Sequence, residues 1–338
     1  MAQRARAAVA VGLIVSLCGG IIFTKAWADG PAQWDSKVIW SSFLAGSGSD
    51  YGYDINVDPA GNVYIAGRTY SVDLPTAGGF DTVGDGKYGD GFIAKFGSDG
   101  SLLWASYIGG SSTDVANGVF TGPDGSVYVT GYTNSSDFPA SGGFDSTHNG
   151  LSDAFVTKID PDGHLVWSSF LGGSSTDQAI GICVDGNGNV FVTGNAGSTN
   201  FPLPGGLSSG LAGNSDAYVA KISGSGQLVW VRLLGGSNHD YGRAIAADTD
   251  GTVVVVGRTM SPNFPKVGGL GRSFAGREDA FVAKLSSAGA LLWSSLLGGT
   301  GADWANGVSI DAQGCPFLTG MTASTDFPAA DGLDQTMG

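Results

Sequence analysis

DVANGVFTGPDGSVYVTGYTNSSDFP, residues 114–139, holds two short runs rich in Val, Phe and Tyr on either side of Pro123-Asp124-Gly125. Runs of this length, joined by a turn in which Pro presets one φ and Gly accepts a positive one, read as a β-hairpin. The strands are expected at 116–121 and 126–132. The same text returns as DQAIGICVDGNGNVFVTGNAGSTNFP at 177–202, and it precedes as DYGYDINVDPAGNVYIAGRTYSVDLP at 50–75.

Three further markers keep this register. Trp40, Trp104, Trp167, Trp230 and Trp293 are spaced 64, 63, 63 and 63 residues apart. Pro75, Pro139, Pro202, Pro265 and Pro328 each close a DLP, DFP or NFP triplet, and Lys95, Lys158, Lys221 and Lys284 close FIAK, FVTK, YVAK and FVAK. A period of this size is the signature of a repeat architecture. In the second copy a third and a fourth strand are expected at 154–159 and 164–171, joined through Pro161-Asp162-Gly163. No stretch sustains a helical period, so the class is all-β. Runs such as VYVT and VVVV are apolar on both faces, as a sheet packed between two others requires. Four antiparallel strands per unit, stacked on like neighbours, describe the blade of a β-propeller, with a β-solenoid as the alternative.

About five blades are visible, and the ends leave them incomplete. Residues 36–44, SKVIWSSFL, read as a fourth strand with no blade before it, and the last unit stops after two strands. If the ends meet, the first strand completes the last blade. A chain cut from a longer array is the other reading.

The hairpin segments 50–75, 114–139 and 177–202 resemble the SBBP repeats of bacterial secreted proteins, a family named for a presumed seven-bladed β-propeller. The resemblance covers almost the whole chain after its leader. It implies the fold and an exported setting, and it supplies no catalytic residues.

The leader is read from the residues themselves. Arg4 and Arg6 precede an uncharged run from Ala7 to Phe23, and Ala26-Trp27-Ala28 follows. A basic start, an apolar stretch and an A-x-A site make a signal peptide over residues 1–28, followed by a short linker, 29–35, and the repeats, 36–338. An uncleaved membrane anchor is the alternative, because 17 apolar residues reach the lower edge of a span. The expected location is secreted, periplasmic or at the cell surface. Loss of Arg4, Arg6 and Lys25 takes the formal charge from −14 to −17, and Glu278 is the only glutamate. So acidic a chain repels phosphate backbones, which excludes nucleic acid as a partner class. Cys183 and Cys315 stand at different repeat positions and read as small buried apolar residues.

Isolated motifs give way to this frame. Gly84–Gly89 fits G-x-G-x-x-G but lies in a loop of an all-β unit, without the helix a dinucleotide needs. Gly206–Gly210 fits G-x-S-x-G without a strand–helix elbow. Asp185–Asn189 starts like a calcium loop yet coincides with the hairpin turn of the other units. His148, His164 and His239 fall at unrelated repeat positions. The one recurring set with chemistry is Asp50, Asp114, Asp177, Asp240 and Asp303, each ten residues after its tryptophan. Converging at a channel mouth, five carboxylates would bind a hard cation such as calcium. The preferred reading is that each accepts N–H groups in its own turn. Loops of about twenty residues between second and third strands differ most among units, and they share a face with the links between blades. Variable loops on a rigid scaffold favour binding. The expected function is therefore an exported, non-enzymatic binding or scaffold module with no cofactor, recognising a glycan, a protein or a cell surface. The alternative is a propeller enzyme, a lyase or hydrolase using Asp carboxylates.

Overall fold

A computed structural model describes residues 14–15, 39–270 and 272–328. The signal-peptide assignment lies outside the described residues except for Ile14–Val15, which pairs with Ser41–Ser42. Five antiparallel sheets follow. Blade one is β1 (Asp50–Val57), β2 (Val63–Thr69), β3 (Asp90–Phe96) and β4 (Leu102–Ile108). Blade two is β5 (Asp114–Thr121), β6 (Val127–Thr133), β7 (Asp153–Ile159) and β8 (Leu165–Leu171). Blade three is β9 (Asp177–Val184), β10 (Val190–Ala196), β11 (Asp216–Ile222) and β12 (Leu228–Leu234). Blade four is β13 (Asp240–Ala247), β14 (Val253–Thr259), β15 (Asp279–Leu285) and β16 (Leu291–Leu297); blade five has β17 (Asp303–Ile310) and β18 (Pro316–Thr322). Strands pair in chain order within every sheet, and the only helix among the described residues is the 3₁₀ turn Pro204–Gly206. The all-β, four-stranded blade reading holds.

Side-chain burial explains why the second and third strands lack the alternation of a solvated sheet. In β6, β7, β10 and β11 almost every residue is buried, because both faces meet a neighbouring blade. Tyr128, Val156, Val192, Tyr218 and Val231 form one such core between blades two and three. The periodic markers fasten the blades together. The outer-strand tryptophans of the first three blades donate their indole N–H to the turn between third and fourth strands of the next blade: Trp104 to Pro161 O, Trp167 to Gly224 O and Trp230 to Ser287 O. The aromatic residue of the DFP or NFP triplet caps its own blade, with Phe138 4.6 Å from Phe155 and Phe264 4.7 Å from Phe281 between ring centroids. The acid or amide before it ties down the link between blades: Asp137 Oδ1 accepts Ser111 N at 2.9 Å and Asn200 Oδ1 accepts Ser174 N at 2.8 Å.

The ends differ from the simplest expectation. Trp40 stacks on Phe96 and donates to Ser98 O, so the first segment docks on blade one as Trp104, Trp167 and Trp230 dock on their following blades. No pairing joins that segment to β18 among the described residues, and the sheet of blade five has two strands. With no third strand or further neighbour among the described residues, β18 exposes Phe317, Leu318 and Met321, and β1 exposes Tyr51, Tyr53, Ile55 and Val57. The same lack of cover leaves Cys315 exposed, contrary to the buried role expected of it; Cys183 is buried as expected.

Candidate functional site

The first strands of all five blades run side by side around one cavity of about 430 Å³. Side chains bridge them. Asp54 Oδ2 accepts Val119 N at 2.8 Å, Asn56 Oδ1 accepts the Thr121 hydroxyl at 2.8 Å, and Asn117 Nδ2 donates to Ala179 O at 2.8 Å. The volume falls within the range of small-ligand pockets, roughly 300–1,000 Å³.

Every one of these strands breaks register against its partner at one shared position. The irregularity lies between Gly52 and Asp54, Ala116 and Gly118, Ala179 and Gly181, Gly242 and Ala244, and Ala305 and Gly307. The unpaired residues are therefore Tyr53, Asn117, Ile180, Arg243 and Asn306, and all five line the cavity. A bulge re-aims the side chain it carries. Two residues later each strand has an aliphatic lining residue, Ile55, Val119, Ile182, Ile245 or Val308. A constant apolar ring thus carries a bulge position whose chemistry changes from blade to blade.

Charge in the cavity is unevenly placed. Burial pushes the Asp54 carboxyl up, against two backbone N–H bonds that hold it down. Burial pulls the Arg243 guanidinium down, helped by Arg258, and its Nε is buried with no hydrogen-bond partner. Phenol, amide, carboxylate and guanidinium groups can together satisfy a ligand rich in hydroxyl or carboxyl oxygens.

The five aspartates singled out in the sequence lie elsewhere, one at the start of each first strand and all buried. Each holds its own link. Asp50 accepts Gly46 N, Asp114 accepts Gly110 N, Asp177 accepts Gly173 N, Asp240 accepts Gly236 N and Asp303 accepts Gly299 N. Serines 71, 135, 198, 261 and 324 donate to the same carboxylates. Among the described residues no three His, Cys, Asp or Glu side chains gather as a metal-ligand group. Four of the five instead adjoin a second aspartate that the sequence reading passed over, the first residue of the preceding blade's third strand. The pairs are Asp90 with Asp114, Asp153 with Asp177, Asp216 with Asp240, and Asp279 with Asp303. The available signal was an Asp five residues before each marker lysine. The histidines stay apart: His164 pairs with Asp160, His239 meets Ser215, and His148 packs on Phe170. Asp185 accepts the N–H groups of Asn187 and Asn189, so that segment is the hairpin turn expected.

The model of the SBBP β-propeller repeat matches residues 39–75, 103–139 and 166–202, so the chain carries SBBP β-propeller repeats. The chain is similar to the regulatory protein FlaEY of Caulobacter vibrioides, 27% identical over 203 residues that make up 57% of this chain and 20% of that protein. It is also similar to the WD repeat-containing protein L264 of Acanthamoeba polyphaga mimivirus, 27% identical over 265 residues, 66% of this chain and 19% of that one. The match thus spans about a fifth of either relative's length. Among solved structures, a gluconolactonase from Xanthomonas campestris is 13% identical, with 83% of this chain and 72% of that chain covered and a TM-score of 0.38. A protein of unknown function from Bacteroides caccae is 10% identical, with 77% and 86% covered and a TM-score of 0.34.

Proposed function

We propose that this array of SBBP repeats is an exported, non-enzymatic binding module whose axial cavity takes a short, hydroxyl-rich ligand of the glycan class. One observation carries the reading. The bulged residue of each first strand points at a shared cavity and is Tyr, Asn, Ile, Arg and Asn in successive blades, on strands that otherwise keep their pattern. Packing alone would be served by one residue repeated five times. Amides that both donate and accept, a phenol with a stacking face and an unpartnered guanidinium N–H suit sugar hydroxyls better than they suit an apolar ligand. The basic and apolar leader supports export.

The test is a glycan array probed with the whole chain, followed by calorimetry on any sugar retained. Arg243→Ala should weaken binding by roughly 10- to 100-fold and Asn117→Ala by about fivefold, because a hydrogen bond to a charged group contributes ~1.5–3 kcal/mol and a neutral one about 1. Retention unchanged in both variants would remove the cavity from the recognition surface.

A further inference from the structure

Blade five has two strands among the described residues, and beside them lies the imprint of a third. In the complete blades the third strand turns an aromatic, a small and an aliphatic residue toward the preceding blade, at i, i+2 and i+4. They are Tyr218, Ala220 and Ile222 in β11, and Phe281, Ala283 and Leu285 in β15, all fully buried. Those of β11 stand opposite Gly194, Val192 and Val190 of β10. The counterparts in β18 are Gly320, Leu318 and Pro316.

Two consecutive holes lie along these counterparts. One, of about 270 Å³, is lined by Gly320, Leu318 and Phe327. The other, of about 470 Å³ and mostly apolar, is lined by Leu318, Pro316 and Trp293. The first is where the aromatic would stand. In blade three that ring packs on the phenylalanine of the NFP triplet, Tyr218 lying 5.0 Å from Phe201 between centroids. Phe327 holds the same place in blade five and is only partly buried. Gly320 leaves the room a ring needs: a Cβ on its counterpart Gly257 would come within 2.8 Å of the Phe281 ring. The second hole is where the aliphatic residue would meet the preceding blade's tryptophan, as Ile222 shares a core with Trp167. Trp293 is only partly buried, whereas Trp104, Trp167 and Trp230 are at most 4% exposed. On the other face Lys221 stands opposite Phe191, with Nζ 5.3 Å from the ring centroid. Phe317 is the counterpart of Phe191 and is 63% exposed.

We infer that blade five is a docking site for one extended segment of a partner polypeptide, which adds to the free edge of β18 as an antiparallel third strand. The imprint sets its sequence as aromatic-x-small-Lys-aliphatic: the aromatic opposite Gly320, the small residue opposite Leu318, the lysine over Phe317 and the aliphatic opposite Pro316. Main-chain hydrogen bonds along the edge give such a strand its affinity, and the alternating pockets give it specificity. The lysine has a ring face to cover and approaches a chain of formal charge −14.

The experiment uses the whole chain and a fluorescein-labelled peptide, GREDAFVAKLSS, which copies residues 276–287. Fluorescence anisotropy should show saturable one-to-one binding, and hydrogen exchange of 316–322 should slow in the complex. In the peptide, Phe281→Ala should weaken binding about a hundredfold, since it empties a pocket that a ring would fill. In the protein, Leu318→Glu sets a charge between the two holes on a side chain already 37% exposed, and it should prevent binding. Phe317→Ala should weaken binding two- to fivefold, and not at all for a peptide carrying Lys284→Met. Equal circular dichroism of the variants separates loss of the site from loss of the fold. No binding at millimolar peptide overturns the inference, as does equal binding of a scrambled peptide or unchanged affinity in Leu318→Glu. Slow exchange of 316–322 without peptide overturns it too: a monomer in sedimentation then gives the edge to the chain's own residues, and a dimer gives it to a second copy.

Discussion

The indole N–H of Trp104 meets the carbonyl oxygen of Pro161 at 3.0 Å, joining the outer strand of blade one to the last turn of blade two. The same oxygen accepts Lys95 Nζ at 2.9 Å, and Lys95 lies over the Tyr64 ring. Two of the residues that mark the repeat in the sequence are thus two donors on one acceptor across a blade boundary.

That shared acceptor makes a non-additive prediction. Trp104→Phe keeps most of the packing and loses one hydrogen bond, a cost of about 1 kcal/mol. Lys95→Met also leaves the carbonyl with one donor and should cost about as much. The double variant strands a part-buried carbonyl, so it should exceed the sum of the singles by ~1–2 kcal/mol. Urea melts of the four proteins measure the coupling. Strict additivity would show that the two contacts act independently.

This clamp shows why so much of the fold was legible. Trp, Lys and the DFP or NFP triplet recur because each touches the neighbouring blade or the link to it, and a contact made once per blade stamps one residue per period. The two features with most functional interest left weaker marks. A bulge is a backbone event, so its residue varies freely, and Tyr53, Asn117, Ile180, Arg243 and Asn306 look like unrelated positions inside a strand. Asp90, Asp153, Asp216 and Asp279 do recur, but they open strongly apolar strands and read as loop ends. The docking of Trp40 on blade one was equally hidden, because a lone strand can pair with any exposed edge.

Acidity should stabilise this protein over an unusual range. Burial foremost, then the charges of Asp85, Asp114 and Asp81, push the Asp90 carboxyl up to about 7; burial pushes Asp114 up to about 6. In the unfolded chain both titrate near ~4. The native state then binds more protons between these values, so their contribution is fully present below the unfolded pKa and is lost as pH rises through 6 and 7. In calcium-free buffer the melting temperature should climb as pH falls from about 8 to about 5. At lower pH, Asp73, Asp137 and Asp326 act oppositely, since backbone N–H groups of Ser47, Ser111 and Thr300 hold them down. Asp90→Asn should raise the melting temperature at the alkaline end and flatten the climb. A melting temperature that falls steadily with acidification from neutrality would refute the assignment.

Protection against hydrogen exchange should peak in blade three and fall toward both ends. The second strand of blade three is fully buried between neighbours, whereas β18 is exposed along most of its length. Strands with one uncovered face open at lower free energy. Exchange measured by mass spectrometry should therefore find 190–196 slowest and 316–322 among the fastest of the strands. Uniform protection across the five second strands would mean that the faces of blade five are covered in solution.

The bulges themselves can be tested through their partners. Opposite each bulge the second strand carries a glycine, and a Cβ on Gly194 would overlap the carbonyl oxygen of Gln178, as one on Gly131 would overlap that of Val115. Only a residue without a side chain lets the bulged backbone close in. Gly194→Ala must therefore push the bulge outward, at a cost of about 1–3 kcal/mol and with Ile180 displaced from the cavity wall. Gly186, in a turn of the same blade, has nothing within 4 Å of its would-be Cβ and no positive φ. Gly186→Ala should be neutral or slightly stabilising, since it only restricts the unfolded chain. Thermal melts compare the two in one background. If the variants melt alike, the glycine in the second strand is not what admits the bulge, and the bulge residues lose their claim to a fixed aim at the axis.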